Sequence, residues 1–119
     1  MANRQDELLA LEKQFWTGDS RFFREHAHIE CLVAFPEMAG VMNNADLAAT
    51  AKNPNRWRDL RIELKGVVEP SDDVALLSYE AEATRENGEP YRALVSTGYV
   101  RQCDGWKMMF HAQMPLERT

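Results

Sequence analysis

The chain has 119 residues, a net charge of −5 and 45% hydrophobic residues, which are ordinary values for one globular domain. We therefore predict a single domain over residues 1–119. The acidic balance argues against nucleic acid or an anionic membrane as the main partner, because neutralising phosphate requires a basic face. No apolar run approaches the ~20 residues of a membrane span. The polar N-terminus is unlike a signal peptide and two cysteines are too few for a disulfide framework, so we expect a cytoplasmic protein.

The first third of the chain shows helical periodicity. One side of a helical wheel is apolar and carries Leu8, Leu9, Leu11, Phe15 and Trp16. Polar residues fall elsewhere on the wheel, namely Glu7, Glu12, Lys13 and Gln14. Thr17-Gly18 ends this helix, and Asp19 or Ser20 can cap a second, short one. A third short helix is predicted from about Asn44 to the breaker Asn53-Pro54-Asn55.

The remaining segments indicate strands. Leu60, Ile62 and Leu64 alternate with charged residues, as in a half-buried strand, and Gly66 interrupts the alternation, which predicts a bulge. The other predicted strands are 29–35, 74–85, 89–102 and 106–114. Helices followed by long antiparallel strands predict an α+β fold with helices on one face of a curved sheet.

Two turn sequences predict how the later strands pair. If Asn87-Gly88 and Asp104-Gly105 are both two-residue turns, Tyr79 faces Ser96 and Ser96 faces Gln113. One face of the sheet then resembles a ligand pocket and carries Leu77, Tyr79, Arg92, Leu94, Ser96, Met109, His111 and Gln113. The opposite face resembles a dimer interface and carries Glu80, Glu82, Tyr91, Thr97, Tyr99, Trp106, Met108 and Phe110. A bulge in any of these strands would exchange part of this assignment.

Several segments together resemble a known fold family. They are Leu11–Trp16 with Gly18-Asp19, Val33–Pro36, Tyr91–Ser96, Asp104–Lys107 and His111–Pro115. In this order and spacing they resemble the nuclear transport factor 2-like superfamily, and most closely its SnoaL-like branch of unknown function. The resemblance implies a ketosteroid isomerase-like cone, in which a curved mixed sheet wraps around the N-terminal helix beside the two short helices. It also implies an internal pocket and usually a dimer across the outer sheet, but it leaves the function open.

One departure from the family pattern is informative. In the steroid isomerase branch an Asp base precedes the proline that ends the first strand, whereas this sequence has Phe35 before Pro36. A phenyl ring cannot abstract a proton, so isomerase chemistry with that base is not expected. The resemblance aligns the family's acidic residue early in this strand with Glu30. The branch usually carries two glutamines after the final His; here Ala112 replaces the first and Gln113 remains.

The best candidate site is centred on His111. A histidine titrates near neutrality and can move a proton, and a Tyr79 hydroxyl and a Gln113 amide can polarise a carbonyl group. The predicted ligand-binding residues are Tyr79, Arg92, Ser96, His111, Gln113 and Trp57, with His111 and Tyr79 as the catalytic candidates. The alternative interpretation is a buried polar cluster that satisfies its own hydrogen bonds.

Other clusters give weaker signals. On a strand, His26, His28 and Glu30 would share a face and could bind a metal ion, but His26 is expected to end the second helix, so no metal site is predicted. Trp57 belongs to a basic cluster, 56–61, that either clamps an anionic ligand or simply begins a strand. The sequence has no Gly-rich phosphate loop and no Cys-x-x-Cys pair, so no cofactor is expected.

Two functions remain open from the sequence. The first is a homodimeric domain that binds a small hydrophobic or carbonyl-containing molecule, with no catalytic step assigned. The second is a cofactor-free lyase, isomerase or polyketide-cyclase-like enzyme on a small hydrophobic carbonyl compound. In that enzyme His111 would be the acid or base, and Tyr79 and Gln113 would steady an enolate-like oxygen. The lack of a recognised pocket carboxylate favours the first.

Overall fold

The computed structural model describes residues 4–51 and 56–116. Within these residues the helices are α1 (Arg4–Thr17), α2 (Ser20–His26) and α3 (Asn44–Ala49). The strands are β1 (Ala27–Phe35), β2 (Met38–Asn43), β3 (Trp57–Ser71), β4 (Val74–Arg85), β5 (Pro90–Gln102) and β6 (Gly105–Pro115). All three helices were predicted, whereas β2 was not; the predicted breaker Asn53-Pro54-Asn55 lies outside the described residues.

The strands form one six-stranded sheet in the order β2-β1-β6-β5-β4-β3. β1 and β6 run parallel, and the other neighbouring strands are antiparallel. The helices pack on one side of this open sheet, with α1 against β3, α2 against β6 and α3 against β1. The predicted α+β cone, a mixed sheet wrapped around an N-terminal helix, is confirmed. None of the helices among the described residues is long and apolar enough to cross a lipid bilayer.

The inner face of α1 contains a charged residue that the prediction placed on the polar side. Its buried residues are Leu8, Glu12, Phe15 and Trp16. The expectation that Glu12 lies on the polar side is wrong, because a residue four positions after Leu8 lies on the same side of a helix. Leu9 and Leu11 are only half-buried. A carboxyl group therefore enters the core beside the aromatic side chains of the helix.

Side-chain caps fix the two short helices. Asp19 accepts a hydrogen bond from the backbone N–H of Phe22 at 3.2 Å and begins α2, as predicted, while Asn43 accepts one from Asp46 at 2.8 Å and begins α3. The abrupt turn at Asp19 places the rings of α2 on α1. Phe15 meets Phe22 and Phe23 edge to face, with centroid distances of 4.8 and 5.0 Å.

The β4–β5 hairpin has a loop one residue longer than predicted. The Arg85 N–H donates to the carbonyl of Glu89 at 2.8 Å, which leaves residues 86–88 as a three-residue loop. Gly88 has a φ of 90°, as the left-handed position of such a loop requires. Tyr79 therefore pairs with Val95 and not with Ser96. Since side chains alternate along a strand, this shift turns every side chain of β5 to the opposite face.

The β5–β6 hairpin carries two further shifts. Gln102 pairs with Gly105, so its turn lies one residue earlier than the predicted Asp104-Gly105. A bulge at Met109 then separates the Tyr99–Met108 pair from the Gly98–Phe110 pair. Consequently, the inward-facing residues of β6 are even-numbered before the bulge and odd-numbered after it. They are Trp106 and Met108 before it, and His111 and Gln113 after it.

The predicted division of the sheet into two faces is therefore correct in part. Leu77, Tyr79, His111 and Gln113 lie on the inner face as predicted, and Glu80, Glu82 and Phe110 lie on the outer face as predicted. The assignment is wrong for Arg92, Leu94, Ser96 and Met109, which are exposed outside. It is also wrong for Tyr91, Thr97, Tyr99, Trp106 and Met108, which face the core. The physical cause is the extra residue in the β4–β5 loop, which turns β5 and the first part of β6 to the opposite face. The bulge at Met109 then returns His111 and Gln113 to the predicted face.

Candidate functional site

A cavity of about 760 Å³ opens between the helices and the inner face of the sheet. Its apolar lining comes from Phe15, Trp16, Phe23, Phe35, Pro36, Leu47, Trp57, Met108 and Pro115. Its polar lining comes from Glu37, Thr50, Arg56, Arg85, Glu86, Asn87, Tyr91, His111 and Gln113. A cleft that combines apolar and aromatic walls with converging polar groups is the usual composition of a small-molecule site.

His111 is the most buried polar group of this lining, with 7% of its surface exposed. Its Nε2 lies 3.0 Å from Nε2 of Gln113, whereas its Nδ1 is buried without a hydrogen-bond partner among the described residues. Burial lowers the pKa of His111 from 6.5 to about 4, so the ring is neutral at pH 7. Phe35, which the family resemblance aligns with the isomerase base, faces it with a ring-centroid distance of 5.9 Å.

Tyr91 completes this polar group, although the sequence prediction placed it on the opposite face. Its hydroxyl donates a hydrogen bond of 2.7 Å to Oε1 of Gln113. Burial raises the pKa of the Tyr91 phenol, which keeps it protonated and available as a donor. The Asn87-Gly88 sequence is also compatible with a three-residue loop containing Gly, and that interpretation would have placed Tyr91 correctly.

An aromatic cluster forms one wall of the cavity. The Trp57 ring lies 5.1 Å from the Trp16 ring and 5.0 Å from the Tyr91 ring, measured between centroids. The Arg85 guanidinium lies over both Trp57 and Tyr91, at 5.1 and 4.7 Å. Asp59, with a φ of 55°, stands where the register of β3 shifts, and this bulge turns Trp57 to the same face as the core residues of β3.

Arg56 begins the predicted basic cluster, and its side chain is held by the protein. It donates hydrogen bonds of 2.9 Å to the carbonyl of Phe15 and 2.8 Å to the carbonyl of Gly18, at the end of α1. Its guanidinium also lies 5.6 Å from the centre of the Phe23 ring. These contacts join the start of β3 to the helices and make Arg56 part of the cavity wall.

A second polar group lies behind this wall. Glu12 is fully buried and accepts hydrogen bonds from the hydroxyls of Tyr79 and Tyr99. Trp16, whose ring lines the cavity, donates to the Tyr79 hydroxyl at 2.9 Å. Tyr79 was predicted to touch the ligand, but it lies on the inner face without being part of the cavity lining. The burial of a carboxyl group on α1 was not predicted.

Two of the predicted ligand-binding residues lie on the wrong side of the sheet for that role. Arg92 is exposed and forms an ion pair with Glu80 at 2.8 Å. Ser96 is exposed and lies 3.4 Å from the Ser78 hydroxyl. The structure brings His111, Gln113 and Trp57 to the cavity and leaves Arg92 and Ser96 outside, because β5 is displaced by one residue.

The remaining candidate residues, His26, His28, Glu30 and Cys31, do not form a metal or nucleophile site among the described residues. His26 ends α2 and stacks on Phe22 at 4.3 Å, so it does not share a strand face with His28 and Glu30. Among the described residues, no group of three His, Cys, Asp or Glu side chains is placed to hold a metal ion. Cys31 is fully buried, and burial raises its thiol pKa to about 12, which leaves it unreactive near neutral pH.

Comparison with known proteins supports the fold. No protein-family profile matches this sequence, and no curated protein is significantly similar to it. A ketosteroid isomerase-like protein from Erwinia carotovora atroseptica superposes with a TM-score of 0.72 at 18% identity, covering 93% of this chain and 92% of that one. An NTF2-like protein from Cytophaga hutchinsonii gives 0.69 at 16% identity, covering 97% and 100%. An NTF-2 like protein of unknown function from Shewanella oneidensis gives 0.71 at 15% identity, covering 93% and 98%.

These likenesses, together with the sheet order and the cavity, define the class of protein. The chain has the nuclear transport factor 2-like fold, as its sequence segments predicted. Identities below one fifth carry the fold and not the activity of the neighbours. The more specific assignment to the SnoaL-like branch stays a prediction.

Proposed function

We propose that the protein binds a small, mainly apolar molecule carrying a hydrogen-bond acceptor, such as a carbonyl group, in the cavity beside His111. The observation that carries this proposal is the buried Nδ1 of His111, which has no partner among the described residues although the residue lines the cavity. An unsatisfied buried polar atom costs about 1–3 kcal/mol. A ligand whose acceptor reaches Nδ1, once the side chains packed around the ring adjust, recovers this free energy on binding.

The size and lining of the cavity support the same proposal. Its volume of about 760 Å³ lies inside the range of roughly 300–1,000 Å³ that small-molecule sites occupy. The rings of Trp16 and Trp57 offer a flat apolar surface that a conjugated or cyclic molecule can cover. The charged residues Glu37 and Glu86 come from the turns that join β1 to β2 and β4 to β5, and Arg85 ends β4.

The direct test is titration with 2-acetylnaphthalene, a small aromatic ketone. Because Trp16 and Trp57 line the cavity, we expect binding to quench tryptophan fluorescence. Trp57→Ala should weaken the binding, whereas Arg92→Ala, which changes an exposed residue outside the cavity, should leave it unchanged. Native mass spectrometry of the purified protein would identify any natural ligand that remains bound. Equal loss of binding in both variants, or no binding at all, would contradict the proposal.

An enzymatic function is the second candidate, and the titratable ring of His111 in an apolar cavity is the observation that favours it. The reaction would be a cofactor-free lyase, isomerase or cyclase step on a hydrophobic carbonyl compound, with His111 as acid or base. Its support is weaker for two reasons. The family resemblance aligns Phe35 with the isomerase base, and the catalytic candidate Tyr79 is hydrogen-bonded to Glu12 and does not line the cavity. We expect no double-bond migration on a 3-oxo-Δ5 steroid; turnover that His111→Gln abolishes would favour the enzyme.

We also propose a homodimer that forms across the outer face of the sheet. One row of directly paired residues crosses all six strands on this face. It consists of Val41, Leu32, Phe110, Gly98, Leu76 and Val68, and we call it the outer apolar row. Val41, Leu32, Leu76 and Val68 are 63, 52, 42 and 60% exposed. A contiguous apolar row of this length is typical of a surface that a partner covers.

A further inference from the structure

Three hydrogen-bonding side chains form a short chain on the cavity wall. The Tyr91 hydroxyl lies 2.7 Å from Oε1 of Gln113, and Nε2 of Gln113 lies 3.0 Å from Nε2 of His111. The other imidazole nitrogen, Nδ1, is buried and has no partner among the described residues. The chain of hydrogen bonds therefore ends in one ring nitrogen that these residues leave unused.

The direction of each bond follows from the donors that each group possesses. Tyr91 has a single hydroxyl hydrogen and donates it to the carbonyl oxygen of the Gln113 amide. The amide nitrogen can only donate, so Nε2 of His111 must accept through its lone pair. In a neutral imidazole the ring hydrogen then resides on Nδ1.

The reverse amide orientation satisfies fewer groups. In that arrangement His111 would donate from Nε2 to the amide oxygen of Gln113, and the amide nitrogen would donate to Tyr91. The hydroxyl hydrogen of Tyr91 would then lack an acceptor, since Gln113 is the hydroxyl's hydrogen-bond partner within the described ranges. Because part-buried hydroxyls normally find a partner, the first orientation is favoured.

We propose that Tyr91 and Gln113 are positioning residues that hold His111 in its Nδ1–H form, and that this N–H selects a neutral acceptor such as a ketone oxygen. The inference rests on the proposed ligand-binding function and identifies Nδ1 of His111 as the atom that distinguishes ligands with an acceptor from those without one. With a pKa of about 4, the ring is uncharged at pH 7 and acts as a neutral donor. A neutral donor repays little of the cost of desolvating a carboxylate, so this N–H favours an uncharged acceptor.

The first experiment is ¹⁵N NMR of histidine-labelled protein without any ligand, because protonated and unprotonated imidazole nitrogens give separate signals. The chain has three histidines, and the signal lost in His111→Gln belongs to His111. If that variant fails to fold, His26→Gln and His28→Gln identify the remaining signal by elimination. We expect hydrogen on Nδ1 of His111 at pH 7. Hydrogen on Nε2 would overturn the proposal.

The second experiment tests the positioning role with Gln113→Glu. A carboxylate can only accept a hydrogen bond, so this substitution should place a hydrogen on Nε2 of His111. Gln102→Glu introduces the same charge at an exposed position of β5 and should leave the Nδ1–H form unchanged. An unchanged His111 spectrum in Gln113→Glu would contradict the role of Gln113.

The third experiment measures selection with two probes of similar shape, 2-acetylnaphthalene and 2-ethylnaphthalene, which differ in the carbonyl oxygen. The ratio of their affinities should shift by about 3- to 10-fold towards the hydrocarbon in Gln113→Glu, because one hydrogen bond is lost. An unchanged ratio with both probes bound would overturn selection by His111 and leave the binding function standing. Binding of neither probe would contradict the proposed function, while the NMR result would still decide the position of the hydrogen.

Discussion

The hydroxyl of Tyr79 donates a hydrogen bond of 2.5 Å to Glu12, and both side chains are completely buried. The same hydroxyl accepts the indole N–H of Trp16. A core carboxyl group is thereby connected to a ring that lines the cavity. Because Glu12 lies on α1 and Tyr79 on β4, the bond also fixes the helix relative to the sheet.

Tyr79→Phe should destabilise the fold without changing its architecture. The substitution removes a donor to Glu12 and an acceptor for Trp16, and each buried group left unpaired costs about 1–3 kcal/mol. We expect the free energy of unfolding, measured by urea denaturation, to fall by at least about 1 kcal/mol. Ser78→Ala, which alters an exposed neighbour on the same strand, is the matched control. Equal stability of Tyr79→Phe and wild type would contradict the importance of the bond.

Glu12 should make the stability decrease as the pH rises. Burial raises its pKa above 4.5, against the opposing effect of hydrogen bonds from Tyr79 and Tyr99. A raised pKa in the folded state gives a contribution that is complete below 4.5 and is lost as the pH rises through the folded value. Relative to Glu12→Gln, the wild type should therefore lose unfolding free energy above pH 4.5. Parallel pH profiles of the two proteins would exclude this effect.

His111 should produce the opposite slope. Its pKa falls from 6.5 to about 4 on burial, so the unfolded chain binds more protons than the folded one between these values. Stability therefore rises with pH across this window, by up to about 3 kcal/mol, and is fully present above 6.5. Urea denaturation of His111→Gln from pH 4 to 7 should show a flatter profile than wild type. A slope that persists unchanged in the variant would assign it to other groups.

Neighbouring residues on β5 provide a test of the observed register. Thr97 is buried and donates to the carbonyl of Phe110 at 2.9 Å, whereas Ser96 is exposed on the other face. Thr97→Ala should lower the free energy of unfolding by about 0.5–1.5 kcal/mol, because it removes the hydrogen bond from its buried side chain to Phe110. Ser96→Ala should change it by less than about 0.5 kcal/mol. The reverse order of effects would restore the register predicted from the sequence.

The proposed dimer predicts a change of mass on a single substitution in the outer apolar row. Leu76→Glu places a charge within that row, where burying it between two copies would be unfavourable. We expect light scattering at micromolar concentration to give a dimer for the wild type and a monomer for Leu76→Glu. Gln5→Glu, an exposed change on α1, should remain dimeric. A monomeric wild type would contradict the proposal.

Local sequence signals predicted the elements well. The alternation in β3, the bulge near Gly66 and the Asp19 cap are properties of a few adjacent residues, and the structure confirms each. By contrast, β2 was missed because Met38–Asn43 pairs only with β1 and has no clear alternation of its own. Whether the chain is one domain and where it resides in the cell stay predictions.

The composition of the site was harder to predict, because the face on which each side chain lies depends on the length of the β4–β5 loop and on the bulge in β6. His111 and Gln113 were placed correctly only because the displacement of β5 and the displacement of the later part of β6 cancel there. At Tyr91 only the displacement of β5 applies, so the residue was assigned to the wrong face. Glu12 was missed for another reason: its burial depends on partners in β4 and β5 that no helical wheel contains.

The loop at residues 86–88 has a consequence for how this protein can vary. Glu86 and Asn87 line the cavity, while the loop's length decides which side chains of β5 face the core. Deleting one residue there would reverse the two faces of the whole β5 strand and bury Arg92 and Ser96, unless a new bulge compensated for the deletion. Natural variation and directed evolution can therefore change the residue types of this loop freely. Insertions or deletions should be tolerated only in multiples of two residues, because these keep the same side chains of β5 facing the core.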